Sequence, residues 1–136
     1  MIQPKELMLG NWVLAGSKTQ FPMYVVGLFA DMVYLDFEDN VGDMWEEREE
    51  DVFPMPLTEE LFLRNGFIKS QKGAFDIYEI EDETVFLFIS TTHGTNKYLV
   101  SVKLEDLCIV EHNSIQYVHE LQNIINLAGL NLDFKM

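Results

Sequence analysis

The residues of this chain that could do chemistry are concentrated in one acidic stretch. Residues 36–51, the acidic segment, contain nine of the 23 acids, namely Asp36, Glu38, Asp39, Asp43, Glu46, Glu47, Glu49, Glu50 and Asp51, and a single base, Arg48. The acidic segment thus contributes −8 to a chain whose net charge is −14. Carboxylates at this density suit two kinds of chemistry, the binding of a metal cation and the recognition of a basic partner.

Calcium binding is the sharper hypothesis, because the acidic segment partly matches a known loop. Asp36, Glu38 and Asn40 stand at alternate positions, and Glu47 occupies the twelfth place of an EF-hand pattern. The sixth place, however, holds Val41 where that loop needs a glycine. The flanking residues also alternate as strands do, whereas the motif needs helices. We therefore interpret the acidic segment as a solvated hairpin and expect no calcium site.

The second hypothesis is a surface that binds a basic protein. Its candidate residues are Asp43, Trp45, Glu46, Glu47, Glu49, Glu50 and Asp51. An exposed tryptophan ringed by charge can be a binding hot spot, although burial across the sheet is the favoured interpretation of Trp45, because large aromatics are mostly buried. The net charge of −14 disfavours direct binding to nucleic acid and to anionic membranes, since both require a basic face. A solvated surface that only aids solubility is the remaining explanation.

The sequence contains no other recognisable catalytic or ligand-binding set. His93, His112 and His119 lie in no known metal-ligand motif, and His119 is predicted to be a boundary histidine with a hydrogen-bond partner. The loop from Thr91 to Asn96 has one glycine and leads into no helix, which favours a hairpin connection over a phosphate-binding loop. Cys108, the only cysteine, is predicted to be a buried residue in a reducing compartment. We therefore predict no catalytic residue, metal or cofactor, which favours a non-enzymatic protein.

The elements that must position these residues are clearest near the carboxyl end. Asn113 and Gln116 have the spacing of a capping box, and an apolar stripe at helical spacing follows, made of Tyr117, Val118, Leu121, Ile124, Ile125 and Ala128. Gly129 stands where a left-handed cap ends a helix, with Leu130 placed to fold back on the last turn. Residues 130–134 alternate between apolar and polar types, which predicts a short final strand.

The first half of the chain has the pattern of short strands and turns. Runs at 23–29 and 33–37 flank a short link and predict a β-hairpin, and 43–48 predicts a polar edge strand. Strands at this spacing predict a small, strongly bent antiparallel sheet or partial barrel. Pro54 and Pro56 then mark a stiff connector, because neither a helix interior nor a central strand accepts them.

The second half begins with a short helix and continues as a second sheet. Thr58 is placed to cap the helix, and residues 65–66, Asn-Gly, end it. Among the β-type runs that follow, 84–89 is apolar on both faces and is predicted to be central. Residues 104–110 form either one more strand or a turn and a strand.

These elements predict an α+β fold: an N-terminal small antiparallel barrel-like sheet, a short central helix, and a second antiparallel sheet covered by a C-terminal helix. At 136 residues, the chain is predicted to be a single domain over 1–136, with subdomains at 1–56 and 57–136. The amino terminus lacks the apolar core of a secretory signal, and the longest apolar runs are too short to cross a bilayer. We therefore expect a cytoplasmic protein.

Three blocks of the sequence resemble a known family. They are LMLGNWV at 7–13, PMPLTEELFLRNGF at 54–67 and YVHELQNI at 117–124. In order and spacing, along nearly the whole chain, they are similar to a family of short uncharacterised bacterial proteins often encoded in or near integrated phage and conjugative elements. Met8 stands where that family usually has a basic residue, and Phe62 falls near its tryptophan position. The resemblance implies a cytoplasmic accessory protein of mobile DNA, and it brings no catalytic residue or cofactor.

Two hypotheses of function follow. The first is a non-enzymatic interaction module of a mobile element, which uses the acidic hairpin to bind a basic protein. The alternative is an enzyme or small-ligand-binding domain with a site between the two sheets, where pockets commonly form. The concentrated acids and the incomplete catalytic sets favour the first hypothesis. The sequence leaves the oligomeric state open.

Overall fold

The computed structural model describes residues 6–16, 18–82, 85–92, 95–104, 107–130 and 132–136, with the backbone alone at 82, 104, 107–110, 112 and 113. Its contacts divide the chain into two compact units. Unit 1 comprises Met1–Pro56 and Tyr117–Asn123, and unit 2 comprises Leu57–Gln116 and Ile124–Met136. Two five-stranded antiparallel sheets and two helices account for most of the described chain. The predicted α+β fold is confirmed.

Sheet 1, in unit 1, is curled, and its connectivity shows why. Its strands are β1 (Trp12–Ala15), β2 (Phe21–Phe29), β3 (Met32–Asp36), β4 (Trp45–Arg48) and β5 (Val52–Phe53), in the order β4-β3-β2-β1-β5. The strands at its two outer edges, β4 and β5, are joined only by a 3₁₀ turn of three residues. Such a turn rises about 2 Å per residue, whereas the outer strands of a flat five-stranded sheet lie about 19 Å apart. The sheet must therefore curl into a half-barrel, as predicted.

The core of unit 1 comes from strand alternation. Val33 and Leu35 in β3 are fully buried while Tyr34 between them is not, because successive side chains of a strand point to opposite faces. The core cluster consists of Leu7, Val13, Ala15, Met23, Val25, Val33, Leu35 and Val52. The predicted β-hairpin is also confirmed as the antiparallel pair of β2 and β3.

Helix α1 (Glu59–Arg64), in unit 2, begins and ends where its capping residues predict. The Leu61 amide donates to the Thr58 hydroxyl at 3.3 Å. At the other end, Gly66 takes a φ of +88°, in the left-handed region that favours glycine. This allows the Phe67 amide to donate to the Phe62 carbonyl at 3.0 Å, which closes the last turn.

Sheet 2, also in unit 2, is a simple antiparallel meander. Its strands are β6 (Ile68–Lys72), β7 (Phe75–Asp82), β8 (Val85–Thr92), β9 (Tyr98–Leu104) and β10 (Leu107–Ile115), in the order β10-β9-β8-β7-β6. The run that is apolar on both faces becomes the central strand β8, as predicted. Leu104 ends β9 and residues 107–110 belong to β10, so residues 104–110 do not form the single strand that was one of the two alternatives.

Helix α2 (Val118–Leu127) begins later than predicted. Asn113 lies within β10, because pairing with β9 continues as far as Ile115. The predicted capping box at Asn113 is therefore wrong, and the Glu120 carboxylate instead accepts a hydrogen bond from the Tyr117 amide at 3.2 Å. The predicted apolar stripe is confirmed as buried at Val118, Leu121, Ile124 and Ile125. Within the described ranges, no helix combines the length and the apolar character that a bilayer crossing requires.

The carboxyl end of α2 has the predicted glycine cap. Gly129 takes a φ of +75°, its amide donates to the Asn126 carbonyl at 3.2 Å, and the Leu130 amide donates to the Ile125 carbonyl at 3.1 Å. These are the two hydrogen bonds of a Schellman motif. The predicted strand that follows is wrong, because residues 132–136 form no strand.

The last residues are held by a side chain rather than by a neighbouring strand. Asn65 donates to the Lys135 carbonyl at 2.8 Å and accepts from the Lys135 amide at 2.6 Å. Leu130 and Phe134 are nevertheless buried. The alternation that predicts a strand therefore identified a segment with one buried face, but this segment has no strand beside it to complete a ladder.

Candidate partner-binding surface

The turn of the acidic segment is held together by its own side chains. The Asp36 carboxylate accepts hydrogen bonds from the Phe37 amide at 2.8 Å and from the Asn40 side-chain amide at 2.7 Å. The Asn40 side-chain oxygen accepts one from the Gly42 amide at 3.1 Å. Val41, at the place where a calcium loop needs glycine, is fully exposed. The side chains that most resemble calcium ligands therefore stabilise the turn.

The structure brings the seven predicted residues together in one continuous run along an edge of sheet 1. Asp43 precedes β4, Trp45, Glu46 and Glu47 lie in β4, and Glu49, Glu50 and Asp51 form the 3₁₀ turn. We call these seven residues the partner surface. Four of them, Asp43, Trp45, Glu46 and Glu50, are exposed, and the other three are half-buried. The neighbouring Met44 is 55% exposed, so the partner surface is bordered by apolar as well as acidic groups.

Strand pairing divides β4 between the two faces of sheet 1. Trp45 lies opposite Leu35, and Glu47 lies opposite Val33. Leu35 and Val33 are buried in the core of unit 1, and directly opposite residues of antiparallel strands share a face. Trp45 and Glu47 therefore lie on the core-facing side of this edge strand, whereas Glu46, between them, lies on the other side.

Trp45 belongs to a cluster of three aromatic rings, the Trp45 cluster. Its ring centroid lies 5.1 Å from that of Phe21 and 6.1 Å from that of Phe37, with interplanar angles of 85° and 89°. The Phe21 and Phe37 rings are 6.4 Å apart at 85°. The three planes are thus nearly perpendicular to one another, an arrangement that aromatic quadrupoles favour.

The prediction that Trp45 is buried across the sheet is wrong. Its side chain packs against the two phenylalanines, but the residue remains 39% exposed. The reason is its position, because β4 is the outermost strand of sheet 1 and has a neighbouring strand on one side only. An aromatic residue at the edge of a sheet keeps part of its ring accessible to a partner.

The sequence analysis did not include Phe21 and Phe37 among the candidate residues of this site, because both lie outside the run of residues 43–51. Both are partly buried against the core of unit 1 and also contact Trp45. A signal for this was present in the sequence. Phe21 begins β2, Phe37 follows β3 and Trp45 begins β4, and these positions fall at the same end of an antiparallel meander.

The carboxylates of the partner surface have few cations to offset them. Arg48 approaches Glu50 at 3.8 Å, but both side chains are exposed, so this pair contributes little free energy. Burial, and then the negative charge of Asp51, raise the pKa of Glu47 above its ordinary value. In the part of the chain that the structure describes, no other ion pair involves an acid of the partner surface.

Unit 2 contains a second group of titratable side chains, the Tyr78 cluster, made of Glu59, Lys69, Asp76, Tyr78 and Tyr98. Glu59 pairs with Lys69 and accepts a hydrogen bond from the Tyr78 hydroxyl. Burial, together with the neighbouring carboxylates, raises the pKa of Tyr78 to about 12. Asp76 is buried and accepts a hydrogen bond from the Gln71 side chain at 3.0 Å. Glu59, Lys69 and Tyr78 thus pair with one another and Asp76 pairs with Gln71, which is the arrangement of a structural network.

Of the three histidine side chains, the structure describes that of His119. His119 is 4% exposed, so the prediction of a boundary position is wrong. Its Nδ1 atom has no hydrogen-bond partner among the described residues, while its ring stacks on that of Tyr117 at 6.0 Å. Burial lowers the pKa of His119, although the charges of Glu120 and Glu6 oppose the shift. His93 and the side chain of His112 lie outside the described residues.

Within the described ranges, no group of three or more His, Cys, Asp or Glu side chains is arranged to hold a metal ion. The Cys108 side chain lies outside the described atoms. Two open cavities of about 370 and 320 Å³ indent unit 2, one bordered by Ile68 and Phe86 and the other by Phe75 and Lys97.

The first and third of the blocks that carry the family resemblance contact each other within unit 1. The Gln122 side chain accepts a hydrogen bond from the Trp12 amide at 2.7 Å and donates one to the Gly10 carbonyl at 3.1 Å. The Asn11 side chain, which is buried, donates to that of Asn123 at 2.9 Å. These residues therefore have a structural role in joining the first block to the third.

No family model, curated protein or solved structure matches this chain. The resemblance to a family associated with integrated phage and conjugative elements consequently stays a prediction.

Proposed function

We propose that this protein is a non-enzymatic protein-interaction module whose partner surface binds a basic protein. The observation that supports this most directly is the position of the partner surface, with its acids gathered on an edge strand and the adjoining turn. Trp45 lies exposed among them. Hot spots of protein interfaces combine such an aromatic anchor with surrounding polar groups.

Electrostatics supports a basic partner. The segment 36–51 carries nine acids and one base, and the only ion pair that the described residues form with these acids is the exposed contact between Arg48 and Glu50. A basic surface would offset the mutual repulsion of the carboxylates and would be drawn towards them from a distance. Association should therefore be fast at low salt and should weaken as the Debye length falls below about 8 Å.

The cellular setting is part of the proposal. The three family-like blocks support an accessory protein of a mobile element that acts in the cytoplasm of a bacterium. An enzyme or a small-ligand-binding domain remains the alternative prediction.

The experiment compares two variants of equal net charge in a pull-down from host lysate at low and high salt. One variant neutralises the partner surface with Glu46→Gln, Glu47→Gln, Glu49→Gln and Glu50→Gln. The control neutralises four exposed acids of unit 2, with Glu60→Gln, Glu79→Gln, Glu81→Gln and Glu111→Gln. We expect the first variant to lose a specific basic partner that the wild-type protein and the control retain.

Two results would contradict the proposal. Recovery of the same proteins by both variants at every salt concentration would show that the partner surface is only solvated. Equal loss in both variants would show that net charge, and not the partner surface, attracts the basic proteins.

A further inference from the structure

Trp45 and Glu47 are the two residues of β4 that share the core-facing side of the strand. This follows from their pairing with Leu35 and Val33, both of which are buried. Residues two apart on a strand lie about 7 Å from each other. An aromatic ring and a carboxylate at this separation can both reach one group that lies between them.

The aromatic part of this pair has the properties of a cation-binding face. Phe21 and Phe37 contact Trp45 at right angles and fix the orientation of its ring, while 39% of the residue remains open to solvent. Tryptophan has the most negative ring face of the aromatic side chains and attracts ammonium and guanidinium groups that approach within about 6 Å. The Trp45 cluster therefore presents a pre-oriented ring at the edge of sheet 1.

Among the described residues, no cation forms an ion pair with the carboxylate of this pair, Glu47. Glu47 is half-buried, and its nearest charged influence is another acid, Asp51. The one base of the segment, Arg48, follows Glu47 in the strand and so lies on the opposite face, where it approaches Glu50 at 3.8 Å. A cation brought by a partner would relieve the repulsion between Glu47 and Asp51.

We propose that Trp45 and Glu47, supported by Phe21, Phe37 and Asp51, form a receptor for one cationic side chain of the basic partner. The group bound would be an ammonium or guanidinium, with its charge over the Trp45 ring and a hydrogen bond to Glu47. This inference rests on the proposed function, and it narrows the seven-residue partner surface to one side of β4. Glu46, on the other side of the same strand, would contribute only long-range attraction.

A nuclear magnetic resonance titration tests this receptor with a synthetic probe. The probe is a short peptide of five lysines spaced by glycine and serine, and its control has norleucine at the five lysine positions. The two tryptophans provide an internal comparison, because Trp45 is exposed and Trp12 is buried. We expect the lysine peptide to shift the indole N–H signal of Trp45 and not that of Trp12, and the norleucine peptide to shift neither.

Matched variants separate the two faces of β4. Glu47→Gln should weaken binding of the lysine peptide about tenfold, as for loss of a partly desolvated charge pair, whereas Glu46→Gln should weaken it less than about twofold. Trp45→Leu should also weaken binding several-fold, because leucine keeps apolar volume without a π face. Glu47→Gln serves as the decisive variant if Trp45→Leu does not fold.

The outcomes distinguish this inference from the function on which it rests. If Glu46→Gln and Glu47→Gln have equal effects, or the Trp45 signal does not move, the receptor is wrong. The proposed function would still stand in that case, provided that the variant with four glutamines in the partner surface loses the peptide and the unit 2 control retains it. Unchanged binding in the variant with four glutamines would overturn both.

Discussion

The outermost strands of the two sheets, β4 of sheet 1 and β6 of sheet 2, differ in whether their charged side chains have partners within the chain. In β6, Lys69 pairs with Glu59 of α1, and Gln71 hydrogen-bonds to the buried Asp76 of β7. In β4, the core-facing Glu47 has another acid, Asp51, as its neighbouring charge. Lys69 and Gln71 of one edge thus have partners within the chain, whereas Glu47 of the other edge has no ion-pair partner among the described residues.

The aromatic rings around Phe62 in unit 2 and the Trp45 cluster in unit 1 also differ. Phe62, in the middle of unit 2, is fully buried, and its ring stacks on Tyr78 at 4.7 Å and meets Tyr98 at 5.3 Å. The rings of the Trp45 cluster are also in contact, but Trp45 is open to solvent. Paired polar groups around buried rings are typical of a stabilising core, whereas the unmatched charge around an open ring is the basis on which we propose recognition at Trp45.

The largest expected effect on stability comes from disrupting the buried aromatic rings around Phe62. Phe62→Ala should lower the free energy of unfolding by about 3–5 kcal/mol, because it leaves a cavity among well-packed rings. The matched change Trp45→Leu should cost only about 1 kcal/mol, since much of that side chain is already in water. Urea unfolding of both variants checks this, and similar losses would remove the contrast between the two aromatic clusters.

The next-largest effect concerns the contact between Glu59 of α1 and Lys69 of the edge strand β6. Glu59→Gln removes the carboxylate that accepts from both Lys69 and Tyr78, and it should lower the stability only slightly, because the ion pair with Lys69 is open to solvent. The pKa of Tyr78, raised to about 12, should fall only partway towards its ordinary value, because burial is the larger cause. Ultraviolet absorbance titration measures the phenol, with Tyr78→Phe to assign the signal. An unchanged titration curve would show that Glu59 does not act on Tyr78.

A smaller effect on stability comes from His119, which is buried in unit 1. Burial lowers the pKa of His119, so the unfolded chain binds this proton more readily than the folded protein does. Stability should therefore decrease as the pH falls through the ordinary histidine range near about 6.5. His119→Gln should flatten this part of the curve in thermal melts between neutral and mildly acidic pH. A variant curve parallel to that of the wild-type protein would show that another group causes the dependence.

The smallest effect concerns Glu47 itself. Its raised pKa means that the folded protein binds this proton more readily than the unfolded chain does, so the charged form slightly destabilises the fold at neutral pH. Glu47→Gln should raise the melting temperature slightly at neutral pH, and this gain should disappear as the pH falls below about 4.5. Glu46→Gln is the control on the opposite face. Equal gains in the two variants would show that repulsion across the whole segment, rather than the position of Glu47, causes the effect.

Features that depend on a few neighbouring residues could be predicted from the sequence. The cap at Thr58 and the glycine terminations at Gly66 and Gly129 all form as predicted. Each involves hydrogen bonds between groups that are close in the chain, so local geometry decides them. The start of α2 was predicted wrongly because pairing between β9 and β10 continues into the predicted capping box. That pairing joins residues up to 17 positions apart, such as Tyr98 and Ile115, whereas a capping rule considers only the residues of one turn.

By itself, the sequence determined that sixteen residues contribute −8 of the net charge of −14, that short strands alternate with turns, and that two helices would form. It also predicted that residues 43–48 form an edge strand, whereas only the tertiary structure decided how the two sides of β4 differ, with Trp45 and Glu47 on the core-facing side and Glu46 on the other. Alternation along a strand defines two faces, but it does not reveal which face meets the core or whether another strand follows. Those choices depend on β5 crossing to the far edge to pair with β1, which curls the sheet and leaves β4 as its outermost strand on the other side.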